Sequence, residues 1–499
     1  MNANFYAAVE AENAGRLQRE LLETEAGKTF SYGDLAQASA RYANLLTGLG
    51  ARRGDRIAVQ VDKSPASLFL YMGCLRAGMV YVPLNTAYQR GELTHFIGDA
   101  EPRVAVCRPP ALELMQELCD DRCEVLTLDE DGGGSLGLAA AGNAPDFAAA
   151  EMQPGDPAVI IYTSGTTGRS KGAVVTHRNL VSNARVLVDY WKFVEDDVLL
   201  HALPMFHVHG LFVANHCALL AGAKLLWHGK FDVKRVMRDL ARASVMMGVP
   251  TFYTRLLNEQ GLTRALCSNV RLFVSGSAPL QLETFKDFEA RTGKTILERY
   301  GMSEAGMISS NPLAGERRGG TVGFPLPGIS VRIAGQGDRP VETGAVGAIQ
   351  VKGENVFAGY WRMPEKTREE FTADGYFRTG DVGAFDREGY LSIVGRAKDL
   401  IISGGYNVYP REIELVLDAV AGVAESAVIG VPDPDFGEAV TAIIVPQENA
   451  RLDSAAVISA VKNTLANYKV PKAVHFVDDL PRNAMGKVQK SVLRERYGK

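Results

Sequence analysis

Apolar positions along the chain switch repeatedly between a helical period and short continuous runs. Residues 158–162 (AVIIY) are apolar and branched, as a buried strand is, and a Gly/Thr/Ser loop follows directly. Residues 173–176 predict another strand. From His177 onward, Leu180, Ala184 and Leu187 fall on one face of a helix. Residues 271–274 (RLFV) predict a further buried strand, ending in Ser275-Gly276-Ser277. Such alternation predicts α/β layers rather than a sandwich or a bundle. The greasiest stretch, 198–227, is interrupted by His201, Pro204, His207, His209, His216 and Lys224. It reads as buried core and pocket wall, not as a membrane span.

The pattern changes after about Asp381. Short strands at 390–394 and 427–431 alternate with a helix opened by Pro410, a good first helical residue, and with a second helix over 454–466. The expected fold class is α/β. A large N-terminal domain of several α/β subdomains covers 1–395, and a small mobile α+β C-terminal domain covers 396–499. A length of 499 residues independently calls for at least two domains.

Composition narrows the partners. The chain is 46% hydrophobic and 22% charged, with a formal net charge of −4. That balance gives no bulk attraction to nucleic acid or to an anionic membrane, so anionic ligands must be held by local groups. Six cysteines without a Cys-x-x-Cys pair suggest free thiols in a reducing compartment. The N-terminus lacks the pattern of a secretory or transit signal, so a cytoplasmic location is expected.

Residues 163–172 (TSGTTGRSKG) combine glycines, hydroxyl side chains and two cations. Glycines let several backbone N–H groups converge on one anion, hydroxyls add donors, and Lys171 adds a point charge suited to a polyphosphate. The Walker A spacing is absent, so this is a different phosphate loop. Further along lie 275–279 (SGSAP), 300–304 (YGMSE), 376–381 (YFRTGD), 395–407 (GRAKDLIISGGYN) and 481–487 (PRNAMGK).

These six motifs, in this order from about Thr29 to Arg494, resemble the adenylate-forming superfamily of acyl-CoA synthetases, peptide adenylation domains and luciferases. One departure is Ser170, where the superfamily loop usually carries Pro. The resemblance implies an ATP-dependent, AMP-forming ligase that adenylates a carboxylic acid and passes the acyl group to coenzyme A. Thr163, Ser164, Gly165, Thr166, Thr167 and Lys171 would hold the β- and γ-phosphates. Ser277, Ala278, Pro279, Glu298, Tyr300, Gly301 and Met302 would surround the nucleotide, and Ser303 would touch its α-phosphate. Asp381 would accept hydrogen bonds from the ribose, with Arg396 nearby. Glu304, with Thr166, would help hold Mg2+. Lys487 would bridge the attacking carboxylate and the α-phosphate. The small domain would rotate about Lys398, and Ser403, Gly404 and Gly405 would line the coenzyme A tunnel. Related synthetases are silenced by acetylation of the matching lysine, which implies a lysine acetyltransferase as a partner for Lys487.

The acid pocket is expected at 204–210 (PMFHVHG), 248–255, 275–277 and 298–307. His207, Arg255, Ser275, Arg299 and Met307 are its candidate acid contacts, and His207 is also placed among the catalytic residues. A buried arginine is costly unless an anion pairs with it, and its fork matches a carboxylate. An acid with a second carboxylate would supply that anion. ERYGMSE with LPMFHVHGLF resembles the malonyl-CoA synthetase branch, which implies malonate, with methylmalonate as the nearest competitor. Alternatives are a short-chain or aromatic acyl-CoA ligase and a non-catalytic nucleotide module, although the latter needs no Lys487. The histidines lack Asp or Cys partners at zinc spacing.

Overall fold

The computed structural model describes residues 2–163, 170–403, 406–483 and 486–498. Two large sheets and two small ones organise them. In the nine-stranded sheet, the strands Glu20–Thr24, Lys224–Trp227, Val198–His201, Val245–Gly248, Leu272–Ser275 and Ile296–Met302 run parallel. The inner strands Val198–His201, Val245–Gly248 and Leu272–Ser275 are mostly apolar and almost wholly buried, as strands covered by helices on both faces must be. Ile296–Met302 then turns back on Gly306–Ser310 in an antiparallel pair.

The seven-stranded sheet is parallel through Glu124–Thr127, Val104–Cys107, Arg56–Gln60, Val80–Pro83 and Pro157–Thr163. Pro157–Thr163 pairs antiparallel with Lys171–Thr176, Thr163 opposite Lys171. The second of these strands starts two residues earlier than the apolar run predicts. Thr176 ends it and caps the helix His177–Tyr190, its hydroxyl accepting from Asn179 N–H at 3.3 Å.

The predicted break in 198–227 is real and unusual. His209–Ala214 forms a wide π-helical turn that continues into the helix Asn215–Ala221, every residue of both buried. A Cβ at Gly210 would lie 2.1 Å from the Pro204 carbonyl oxygen, so only glycine permits this turn.

A four-stranded antiparallel sheet, Ser330–Ala334, Gly347–Lys352, Phe377–Phe385 and Leu391–Arg396, closes the larger body. The chain then makes a single 3-10 turn, Ala397–Asp399, and enters the fourth sheet. There Ile401–Ser403, Tyr406–Val408, Val423–Asp433, Gly437–Pro446 and Ala473–Phe476 pack on the helices Pro410–Asp418 and Ser454–Thr464. Ile413, Leu417, Val428, Ile444 and Val461 form this small domain's own core. Among the described residues no helix is long and apolar enough to cross a membrane.

Candidate active site

Thr163, Gly248 and Ser275 all stand at the carboxyl ends of parallel strands, where open α/β sheets present their ligand crevice. Next to Ser275, Glu298 pairs in register on the adjacent strand, and Arg299 follows it. Arg299 is only 4% exposed. Its guanidinium presses on the backbone of Gly276, where a Cβ would come within 2.5 Å of Cζ. Its Nε and Nη2 are buried without a hydrogen-bond partner. Burial pushes its pKa down to about 9.

The neighbouring groups are similarly undersatisfied. Ser277, held in the left-handed region at φ 73°, brings its hydroxyl within 3.3 Å of His209 Nδ1. His209 Nε2 and the Ser275 hydroxyl are buried without partners. His207 Nδ1 accepts from the His209 N–H at 3.2 Å, which leaves the His207 Nε2 proton free to donate. Burial, then Lys487 and Arg299, push the His207 pKa down to about 3, so the ring is neutral at physiological pH. Met307 is buried beside Gly301, where a Cβ would meet its methyl group at 2.3 Å. Arg255 is not drawn into this wall. It stays exposed in the last turn of the helix Pro250–Leu257 and makes no ion pair or hydrogen bond among the described residues.

Asp381 is buried between Arg396, whose Nε lies 3.0 Å from Oδ1, and Tyr300, whose hydroxyl donates to Oδ2 at 2.5 Å. Asp381 and Arg396 face each other across paired strands, so the sheet fixes this pair. Glu298 accepts from the Gly320 N–H at 3.0 Å, and burial pushes its carboxyl up to about 8. Ser303, Ala278 and Met302 are half-buried and Pro279 is exposed.

Glu304 is buried within reach of two hydroxyls, Thr163 at 3.4 Å and Tyr360 at 3.3 Å, and burial raises its pKa. Lys171 Nζ sits 4.4 Å above the Tyr360 ring and 3.6 Å from Glu370. Tyr360 thus ties the loop's lysine to the buried carboxylate, and Glu370 gives that lysine an anion. No motif marks Tyr360 or Glu370, because both arrive from a distant segment. His95 also braces the loop, its Nε2 donating to the Ser170 carbonyl at 2.9 Å. Ser164, Gly165, Thr166 and Thr167 lie outside the described residues, as do Gly404 and Gly405.

The small domain brings Lys487 to the same place. Gly486, at φ 73°, sits where a Cβ would lie 3.7 Å from the Thr251 side chain, so this loop rests on the helix Pro250–Leu257. Lys487 N–H donates to Asn483 Oδ1 at 3.0 Å. Burial pushes the Lys487 pKa down to about 8, with Arg396 and Arg299 acting in the same direction and Asp381 and Glu304 opposing. One amine therefore shares its surroundings with Arg299, Asp381 and Glu304. Lys398 is exposed in the turn after Arg396, and Ser403 is buried at its strand's end.

The family model for AMP-binding enzymes matches residues 9–361, and that for the AMP-binding enzyme C-terminal domain matches 412–487. The chain belongs to the AMP-binding enzyme family. Among the family's curated members, malonate–CoA ligase of Arabidopsis thaliana is 36% identical over 94% of this chain and 85% of its own length. Sulfoacetate–CoA ligase of Cupriavidus necator is 36% identical over 94% and 93%. The crystal structure of ATP-bound MatB from Rhodopseudomonas palustris is 51% identical, covers 100% of this chain and 99% of its own, and superposes with a TM-score of 0.98. Apo MatB superposes at 0.87, so this chain follows the ATP-bound arrangement more closely.

Proposed function

We propose that the protein is a malonate–CoA ligase acting in two steps. A carboxylate oxygen of malonate attacks the α-phosphate of ATP, giving malonyl-AMP and pyrophosphate. The thiol of coenzyme A then attacks the acyl carbon and AMP leaves. The observation that carries this reading is the unpaired guanidinium of Arg299, an uncompensated charge inside the acid pocket. A distal carboxylate would give it a partner, with the Ser275 hydroxyl and His209 Nε2 as further donors.

In the adenylating step Lys487 neutralises charge that develops between the attacking carboxylate and the α-phosphate. His207, neutral, donates from Nε2 to the reacting carboxylate. Asp381 holds the ribose hydroxyls. Lys171 and the hydroxyl loop hold the terminal phosphates. Glu304 fits Mg2+, with Thr166 and phosphate oxygens as its further proposed ligands, because a hard cation offsets the burial that now disfavours its charge. With Mg2+ bound, the phosphates carry less charge against the incoming carboxylate.

Coenzyme A enters after residues 396–499 rotate about Lys398 relative to 1–395, removing Lys487 and bringing Ser403, Gly404 and Gly405 to the tunnel. Methylmalonate is a second substrate, since one methyl group alters binding modestly. Acetylation of Lys487 by a lysine acetyltransferase would remove the charge that the first step needs. Six free thiols fit a reducing, cytoplasmic setting.

The test is AMP release with malonate, methylmalonate, butyrate and benzoate, each with and without coenzyme A. Turnover of butyrate or benzoate without malonate would replace this reading by a monocarboxylate ligase. No AMP from any acid would leave a nucleotide-binding module.

A further inference from the structure

Four of the six cysteines are sealed in the core. Burial holds their thiols above the ordinary range, Cys107 and Cys267 at about 11, and Cys74 and Cys217 higher still. Cys119 and Cys123 differ in place and in chemistry. Cys119 follows the last turn of the helix Leu112–Leu118, its N–H still bonded to the Met115 carbonyl at 3.0 Å. A tight turn, with Cys123 N–H donating to the Asp120 carbonyl at 3.0 Å, folds the chain back into the edge strand Glu124–Thr127. The two sulfurs meet 3.2 Å apart, half-buried at the rim of the core that contains Cys107 and Met115.

From this geometry we propose that Cys119 and Cys123 form a reversible redox site, a dithiol that a low-molecular-weight disulfide converts to an intramolecular disulfide. The Cys123 S–H faces Cys119 Sγ at 3.2 Å, a contact that favours Cys119 as the attacking sulfur and Cys123 as the resolving thiol. That contact lowers the Cys119 pKa against burial and Asp120, and raises that of Cys123. The Arg103 charge lies near Cys123, and Arg122 is in the same turn.

The chemistry balances with one co-reactant. The Cys119 thiolate attacks one sulfur of the small disulfide, forming a mixed disulfide and releasing one thiolate. Cys123 gives up its proton, its sulfur attacks Cys119 Sγ, and the second thiolate leaves. Two protein thiols are oxidised, one small disulfide is reduced, and each leaving thiolate takes up one proton. The sulfurs need to close by only about 1.2 Å to reach bonding distance. Metal binding does not explain the pair, because among the described residues no group of three His, Cys, Asp or Glu side chains could hold an ion. The pair lies outside the acid and nucleotide sites, and neither step of the proposed reaction uses it.

The experiment exposes native full-length protein to oxidised glutathione, quenches with acid, alkylates and maps the peptides. Wild type is expected to yield a 119–123 disulfide that protects both residues from alkylation and is reversed by dithiothreitol. Cys123→Ser is expected to trap glutathione on Cys119, roughly tenfold faster than Cys119→Ser traps it on Cys123. Wild type in which both residues remain fully alkylatable would overturn the redox site. Equal trapping in the two variants, or faster trapping on Cys123, would overturn the assignment of Cys119 as nucleophile.

Discussion

Replacing Arg299 by methionine should make the protein more stable and much worse at using malonate. Burial holds the Arg299 pKa at about 9 instead of 12.5, a depression that corresponds to roughly 4–5 kcal/mol of unfavourable burial. For a base with a depressed folded pKa this cost is complete below pH 9 and fades as pH rises toward 12.5, so at pH 7 it is present in full. Methionine fills similar volume without charge, and the unliganded variant should melt several degrees higher. The distal carboxylate, in contrast, would then be buried without a partner. Truncating one member of a buried charge pair costs about 2–5 kcal/mol, which corresponds to roughly thirty- to several-thousand-fold in kcat/KM. The assay is AMP release at varied malonate with saturating ATP and coenzyme A, and butyrate as the control acid. Butyrate should be unaffected or improved. If R299M kept malonate kcat/KM within threefold of wild type, the guanidinium would not be the malonate anchor.

Three further variants probe the other parts of the site. Lys487→Gln should slow AMP formation from malonate by roughly a hundred- to a thousandfold, while thioester formation from prepared malonyl-AMP stays within a few-fold; equal loss in both half-reactions would contradict a lysine that serves only the first. Tyr360→Phe should raise the KM for ATP severalfold by removing the hydroxyl 3.3 Å from Glu304, and Tyr360→Leu should raise it further by also removing the ring beneath Lys171. Identical values for the two would mean that the ring contributes nothing. Glu298 has a folded pKa of about 8 against an ordinary 4.5, so wild type loses stability as pH rises from 4.5 to 8. Glu298→Gln, which keeps the acceptor for Gly320, should therefore gain on wild type across that window by up to roughly 4 kcal/mol, seen as a melting-temperature gap wider at pH 8 than at pH 5.

The parts legible in the sequence are those set by local periodicity. The helix Pro410–Asp418 and the strands Pro157–Thr163 and Leu272–Ser275 follow from apolar spacing and one well-placed proline, with boundaries moved by a residue or two. The π-helical turn was invisible, because its cause is the contact between Gly210 and the Pro204 carbonyl. The two arginines offered for the acid pocket look alike as letters. Arg299 lies on a covered strand and Arg255 on a helix face open to solvent, and only packing separates them. Cysteines four apart carry no signal, and a helix end followed by a tight turn makes them neighbours.

On the proposed rotation, Lys487 would couple the position of the small domain to protons. Burial, with Arg396 and Arg299 nearby, pushes the amine down to about 8 from 10.5. Closing the empty enzyme near pH 8 would therefore shed part of a proton per molecule, and its electrostatic cost would shrink as pH rises from 8 toward 10.5. Bound ATP would supply negative charge that keeps the amine protonated, so closure with ATP should shed fewer protons than empty closure. The heat of ATP binding measured in two buffers of different ionisation enthalpy counts those protons, and replacing Lys487 by glutamine should abolish its share of the difference.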